Sequence, residues 1–430
     1  MRYWRNIAVA TVLPLIFQVS TAHGQELPKA EPVFSKTGPH AEDYGGQLGY
    51  PIGWPLNKQQ NMVGNYSHAD QLAPTHTITA ANKPSPLLRA QTEISISYPF
   101  GDTYTFATST ATLADYLARN PATGLLIAHD QTIFYEHYQY GRTDQDRFLS
   151  QSMAKTITAM LVGIAISEGA IHSIDDTAQT YVPELKGTEI GDTPIRAFLH
   201  MASGIAFTQD SQGADNPLSD DAKLNRDLFG KSKIGTIEAV SQFDKRIAPP
   251  DTVWHYSNLD AEVLGIVLTH ATHMPMSEYL QTRIWQPMGA EASATWIIDN
   301  SGQEEAYASF SATLRDYARF GLLLAHDGFW NGRQIIPRQW LLDATQPVEQ
   351  DSFLALDHAT HSWGYGYLTW IFPGPHRMFW LDGLRGQRII VDPTAHLVLV
   401  QTAVQPDTPF LARSEVLDLW NAALKQFSTD

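Results

Sequence analysis

The sequence predicts an α+β fold: one antiparallel sheet flanked by helices, built from segments far apart in the chain and interrupted by a mainly helical insertion. Three observations predict it. β-Rich runs gather in two places, residues 125–138 and 363–404. Helical patterns and loops dominate the stretch between them, about 171–355. An amphipathic pattern from Ser414 to Phe427 closes the chain and supplies a helix to cover the sheet.

Taken in order, the first 24 residues read as a secretory leader. Arg2 and Arg5 precede an uncharged, mostly apolar run, Ile7 to Phe17, and Ala22-His23-Gly24 is a small-x-small cleavage site. The run is shorter than the roughly 20 residues that span a bilayer, and nothing later is long enough. The expectation is export across the inner membrane, most simply to the periplasm, with no stable membrane span. Residues 25–105 are rich in Pro, Gly, Asn, Gln and Thr and read as an extension or arm that packs on the main domain. The main domain is 106–430, with its sheet part at about 106–170 and 356–430 and its helical part at about 171–355.

Within the main domain, Thr110 to Arg119 reads as a helix. Leu125–His129 and Thr132–Tyr138 form a hairpin around Asp130-Gln131. From Ser152 to Gly169 the apolar positions Ile157, Met160, Leu161, Ile164 and Ala165 follow a helical period, and Gly163 permits close approach. Leu259 to Thr272 is a second strong helix. Trp363–Trp370, Met378–Leu381, Gln387–Val391 and Leu397–Val404 read as strands, with a turn at Asp392-Pro393-Thr394. There are no internal repeats.

Composition excludes several classes. The chain has 430 residues and a net charge of −16, which becomes −18 without the two leader arginines (27 Lys+Arg against 45 Asp+Glu). Such an acidic surface disfavours nucleic acid and anionic lipid. Cysteine is absent, which rules out disulfides, thiolate metal sites and a cysteine nucleophile.

The chemistry concentrates in three places. Ser152-Met153-Ala154-Lys155 is the chain's one S-x-x-K and opens a helix. Residues three apart on a helix share a face, and a desolvated lysine beside a serine hydroxyl can take its proton. The helix start also offers N–H groups to a developing oxyanion, that of Ser152 among them. The same residues fit a capping serine followed by a solvated lysine. Tyr256-Ser257-Asn258 stands at the entry of the second helix. There Tyr256 can share a proton with a serine and a lysine, its phenolate being the favoured base in a cationic pocket, while Ser257 or Asn258 caps. Gly383-Leu384-Arg385-Gly386-Gln387 leads into a strand; its glycines admit a ligand, and the Leu384 N–H is a candidate second oxyanion donor.

At these three places together the chain resembles the serine β-lactamase and penicillin-recognising superfamily. Further similar stretches are Ile195 to Gly204, Tyr279 to Gly289 and Arg315 to Gly321. Within the superfamily it is most similar to the class C-type branch, and there to the 6-aminohexanoate-dimer (nylon oligomer) hydrolases and related esterases. The resemblance implies a β-lactamase/transpeptidase-like fold and hydrolysis of a small amide or ester. In it Ser152 is the nucleophile and Lys155 and Tyr256 share the acid/base work. Asn258 holds the lysine or a substrate amide, the Ser152 and Leu384 amides form the oxyanion hole, and Gly383, Gly386 and Gln387 belong to the third motif. No cofactor or metal is implied. One departure stands out: the family usually carries Lys or His, then Thr or Ser, before the third-motif glycine, and here Leu381-Asp382 stand there. That counts against β-lactam turnover unless Arg385 compensates. A D,D-peptidase or β-lactamase, and a non-enzymatic binding or sensor protein, are the alternatives.

Other features read as structural. Lys36-Thr37-Gly38 mimics a family motif but precedes the S-x-x-K in a Pro/Gly-rich stretch. His270/His273 and His358/His361 lack a nearby third ligand, so no metal site is expected. Trp363 to Tyr367 suits sheet packing better than substrate contact, and Asp175-Asp176 suits a capping turn before Ala178.

Overall fold

Leu125, Leu126, Ile127 and Ala128 are successive residues with no exposed surface. A strand buried on both faces is central to a sheet covered on both sides. The computed structural model describes residues 30–101, 108–209, 216–231, 234–346, 349–374, 376–406 and 415–427; the expected leader lies outside them. Among these residues the main sheet has nine strands. Strand Ala122–His129 lies between Thr132–Tyr138 and Leu397–Ala403, and the order then runs through Gln387–Asp392, Phe379–Gly383, Trp370–Ile371 and Gly364–Tyr365. These pairings are antiparallel, with Leu126 opposite Val400 and Val400 opposite Ile389. The two β-rich ends of the chain thus meet in one sheet.

The sheet is not wholly antiparallel. Val33–Phe34 and Leu88–Arg89, from the N-terminal extension, both add to Thr132–Tyr138 in parallel. Neither is a hairpin partner of that strand, so neither is held to the antiparallel sense. The extension is woven into the fold. Its strand Thr75–Ile78 pairs with Ala294–Ile297, and its helix Gln59–Ser67 packs Met62, Val63 and Tyr66 into a second small core with Tyr140, Leu149 and Val404.

Several expected elements shift. Thr110–Thr112 are strand, and the helix starts only at Leu113, because Thr112 caps it reciprocally with Asp115. Trp363–Trp370 is not one strand: Gly364–Tyr365 and Trp370–Ile371 form a hairpin that turns at Leu368, φ 47°. The stretch read as helical contributes Ala294–Ile297 and Phe310–Ala312 to a second sheet, completed by Thr75–Ile78 and Phe148–Leu149 from before it. It also contains Leu314–Ala325, a helix lying on three strands of the main sheet, where Gly321 meets Val398 and Ile389. Thr177, not Asp175 or Asp176, is the cap residue before Ala178, without a side-chain bond. Asp176 instead accepts the Tyr181 hydroxyl and Asp175 pairs with Arg196. Among the described residues no helix is long and apolar enough to cross a membrane.

The helix Met153–Ser167 is buried on every side from Met153 to Ala165, not along one stripe only. It packs against the helix Asn258–Thr272 and against strands Phe379–Gly383 and Gln387–Asp392. At Gly163 a Cβ would sit inside the Trp340 indole, whose N–H donates to the Ala159 carbonyl at 3.1 Å. Gly163→Ala is therefore expected to lower the unfolding free energy by about 1–3 kcal/mol, the usual cost of overpacking. A urea midpoint equal to wild type would contradict this packing.

Candidate active site

Ser152 heads its helix but does not cap it: its hydroxyl accepts no helix N–H. The Lys155 ammonium donates to Ser152 Oγ at 3.0 Å, and Tyr256 shares a hydrogen bond with the same serine. The residue before it, Gln151, is held at φ 46°, a strained conformation for a side chain this large. Gln151 donates to the Tyr66 hydroxyl at 2.8 Å, and the Ser150 N–H donates to the Phe310 carbonyl at 2.7 Å. The second sheet and the N-terminal extension therefore fix the turn that presents Ser152.

Lys155 is 1% exposed. Besides Ser152, its Nζ donates to Asn258 Oδ1 at 2.6 Å and to the Tyr307 carbonyl at 3.0 Å. Burial pushes its pKa down to about 7, although the nearby carboxyls of Asp221, Glu305 and Glu262 oppose the shift. Its neutral form is then accessible near neutral pH. A neutral amine has two hydrogens and one lone pair. Asn258 Oδ1 and the Tyr307 carbonyl can only accept, so they take the hydrogens and leave the lone pair for the serine hydroxyl.

Tyr256 shifts the other way. Burial raises its phenol, and Asp382 and Asp221 raise it further, against the hydrogen bond from Ser152. Burial thus weighs against the phenolate base that the sequence suggests and favours the lysine as the group whose basic form is accessible near neutrality. The Tyr256 ring lies against Trp370 (centroids 5.7 Å apart) and under Lys155 Nζ, 4.9 Å from its centroid. Tyr365 and Trp370 of the aromatic hairpin pack around Trp254 and Tyr256, in a supporting role.

Asn258 is committed at both ends. Its Oδ1 accepts from Lys155 and its Nδ2 donates to Asp221 at 2.7 Å. Of its two expected uses, holding the lysine is the one the geometry supports. Ser257 is the helix cap, accepting from the Asp260 N–H. Asp221 also accepts from Gln209 Nε2 at 3.0 Å, and Gln209 Oε1 accepts the Asn258 N–H at 2.7 Å. Asp221, Gln209 and the Tyr307 carbonyl escaped the sequence reading. Asp221 follows Ser219, a helix cap, and looks like a first-turn acid; nothing local marks it as buried.

The third motif is a hairpin corner rather than one strand. Gly383 ends one strand, Leu384–Gly386 form a turn, and Gln387 starts the next strand. A Cβ at Gly383 would stand 2.5 Å from the Ser150 carbonyl oxygen, so only glycine lets this strand close on the nucleophile turn and carry the Leu384 peptide alongside it. Gln387 is buried and donates to the Ala403 and Leu384 carbonyls, which braces the corner. Arg385, at φ 64°, has its charge felt by Tyr44 of the N-terminal segment. The cation beside Asp382 is instead Arg388, directly across the hairpin, with Nε 2.9 Å from Oδ1. That partner was readable from the pairing of the two strands. Leu381 is fully buried in the core. Lys36-Thr37-Gly38 lies outside the strands, with Gly38 against the Tyr140 ring.

A serine, lysine and tyrosine joined in this way, on a sheet with helices on its faces, define a serine hydrolase of the penicillin-recognising kind. The chain belongs to the Beta-lactamase family, whose profile matches residues 109–418, and is a hydrolase of that family. It is 23% identical over 391 residues to the 6-aminohexanoate-dimer hydrolase of Paenarthrobacter ureafaciens, covering 86% of this chain and 93% of that one. A β-lactamase of Escherichia coli (strain K12) is 27% identical over 169 residues, 39% of this chain and 39% of the other. Among solved structures, a Bacillus anthracis protein provisionally named a 6-aminohexanoate-dimer hydrolase superposes with a TM-score of 0.75 at 24% identity, over 87% of this chain and 97% of that one.

Asn258→Leu removes one acceptor of Lys155 and leaves Asp221 without that donor. A hydrogen bond to a charged group is worth about 1.5–3 kcal/mol, so kcat is expected to fall about 10- to 150-fold with the fold retained. Wild-type kcat in a folded variant would exclude Asn258 from the centre.

Proposed function

We propose that this protein cleaves ester or amide bonds of small linear substrates through an acyl-enzyme on Ser152. The observation that carries the reading is the hydrogen bonding of Ser152 Oγ to Lys155 and Tyr256 in place of a helix cap. The neutral amine of Lys155 takes the hydroxyl proton as Oγ attacks the carbonyl carbon. The oxygen that gains charge is held by the N–H groups of Ser152 and Leu384. The proton then passes through the Lys155–Tyr256 pair to the departing alcohol or amine, leaving the ester on Ser152. Water, deprotonated by the same pair, attacks that ester and frees the acid and the serine. Deacylation returns every group to its starting protonation state, and no cofactor enters the balance.

The preference for linear substrates rests on the corner beside Gly383. β-Lactams carry a carboxylate. Here Leu381 is turned into the core, and the cation across the hairpin, Arg388, is already paired with Asp382. A cleft of about 650 Å³ is lined in part by Trp54, Leu56, Phe229 and Ile297. It reaches Asn225, which accepts the Tyr307 hydroxyl at 3.2 Å, and so lies next to the residue whose carbonyl holds Lys155. Its apolar walls suit an alkyl or aromatic chain. The similarity to 6-aminohexanoate-dimer hydrolase agrees with an amide joining short aliphatic units. The reading includes export, with residues 1–24 as the leader.

The test compares kcat/KM for p-nitrophenyl butyrate, a short aliphatic amide oligomer and nitrocefin on one preparation, beside Ser152→Ala. Ester or amide turnover is expected to exceed nitrocefin turnover by at least about 10-fold, the value of one charge-assisted hydrogen bond. All of it should vanish in the variant. Faster nitrocefin turnover would favour a β-lactamase instead, and full activity in Ser152→Ala would remove the nucleophile assignment.

A further inference from the structure

At the opposite end of the sheet strands from Ser152, three side chains converge that the hydrolytic reaction does not use. Asp130 is at the tip of the hairpin after Ala122–His129, and His396 is in the turn before Leu397–Ala403. His326 follows the last residue of the helix Leu314–Ala325. Asp130 Oδ1 lies 3.0 Å from His396 Nδ1 and 3.4 Å from His326 Nε2, and one ligand atom from each of the three residues falls within 4.8 Å of the others. We propose that Asp130, His326 and His396 form a binding site for a borderline divalent cation, with Zn²⁺ the best fit.

The separations suit the ion. Zinc–nitrogen and zinc–oxygen bonds of about 2.0–2.2 Å in a tetrahedron put neighbouring ligand atoms about 3.3–3.6 Å apart. Two imidazoles and one carboxylate are a donor set zinc accepts, with water in the fourth place. The ligands are also held in advance. Asp130 and His396 are non-glycine residues at φ 49° and 47°, and the Asp130 N–H donates to the His396 carbonyl at 3.0 Å. Backbone strain of this kind persists only where the surroundings enforce it, and it gathers at functional sites. His326 Nε2 is out of contact with water and makes no hydrogen bond among the described residues, an arrangement a metal bond would relieve.

The surroundings favour these three over their neighbours. His129 Nδ1 lies 3.7 Å from the other Asp130 oxygen, Oδ2, and its ring stacks on Phe427, so it steadies the carboxylate from outside. Asp327 is engaged by Arg377 and Arg338. The local pairs His270/His273 and His358/His361, which sequence spacing brings to notice, take no part in the cluster. Bound metal would tie a hairpin tip, a turn and a helix end together. Because Gln387 faces Gly383 at one end of its strand and Asp392 faces Leu397 at the other, the ion would sit roughly 15 Å or more from the nucleophile turn. Its role is to stabilise the fold rather than to act on substrate.

The test uses the full tag-free chain after chelator treatment, titrated with ZnCl₂ by calorimetry and followed by thermal unfolding. One saturable site is expected, with Tm rising by roughly 3–8 °C at a hundredfold excess over Kd. His396→Gln, on a partly exposed turn, should abolish the rise, and Asp130→Asn should weaken it at least about 10-fold, while kcat of the metal-free variants equals that of the metal-free wild type. If His326→Gln does not fold, His396→Gln decides alone. Absence of a saturable site in the wild type, or a site of equal strength in His396→Gln, overturns the proposal.

Discussion

A lysine side chain carries a charge that resists leaving water, and Lys155 is nevertheless sealed between two helices. Much of the active region can be understood as the means of making that tolerable. Its three acceptors come from separate places: a hydroxyl one helical turn back, a side-chain amide on the facing helix and a backbone carbonyl beside the second sheet. Each acceptor is fixed in turn. Asn258 is oriented by Asp221 and Gln209, and Ser152 by the turn that hangs from Phe310 and Tyr66. Three carboxyls nearby partly offset the desolvation but do not overcome it, and the balance leaves the amine near neutrality.

The surrounding carboxyls show the same competition. Burial raises Glu262 and Glu305, and Glu262 Oε1 has no hydrogen-bond partner among the described residues, as suits a group carrying its own proton. A fully ionised set at this depth would hold Lys155 as ammonium and silence it as a base. Raised carboxyl pKa values and a lowered lysine pKa are therefore two consequences of one dry environment. On the other side of Ser152, the closeness of strand Phe379–Gly383 depends on a missing side chain at Gly383. Here packing, not charge, decides where the Leu384 peptide can lie.

The sheet was legible because its strands announce themselves by β-branched and aromatic runs, and the strand Thr132–Tyr138 was placed to the residue. Ser152, Lys155, Tyr256 and Asn258 were legible because each sits at a helix start or one turn beyond it, where local spacing carries meaning. What escaped was non-local. The parallel strands Val33–Phe34 and Leu88–Arg89 are too short to show a period. Asp221 reaches Asn258 only through the packing of two helices, and Asp130, His326 and His396 meet only because three connections end at one corner of the sheet. The burial of Tyr256, which weighs against a phenolate there, was hidden for a related reason: a cation was foreseen beside it, but the depth was not.

The claim on which this account rests is that Lys155 is a base at neutral pH because it is dry. The direct measurement is an NMR titration of the chain labelled with ¹³C at the lysine ε-carbons, assigned by comparison with Lys155→Met. The account predicts one resonance, missing from the variant, that titrates near pH 7. A Lys155 resonance that stays in its ammonium form up to pH 10 would contradict it.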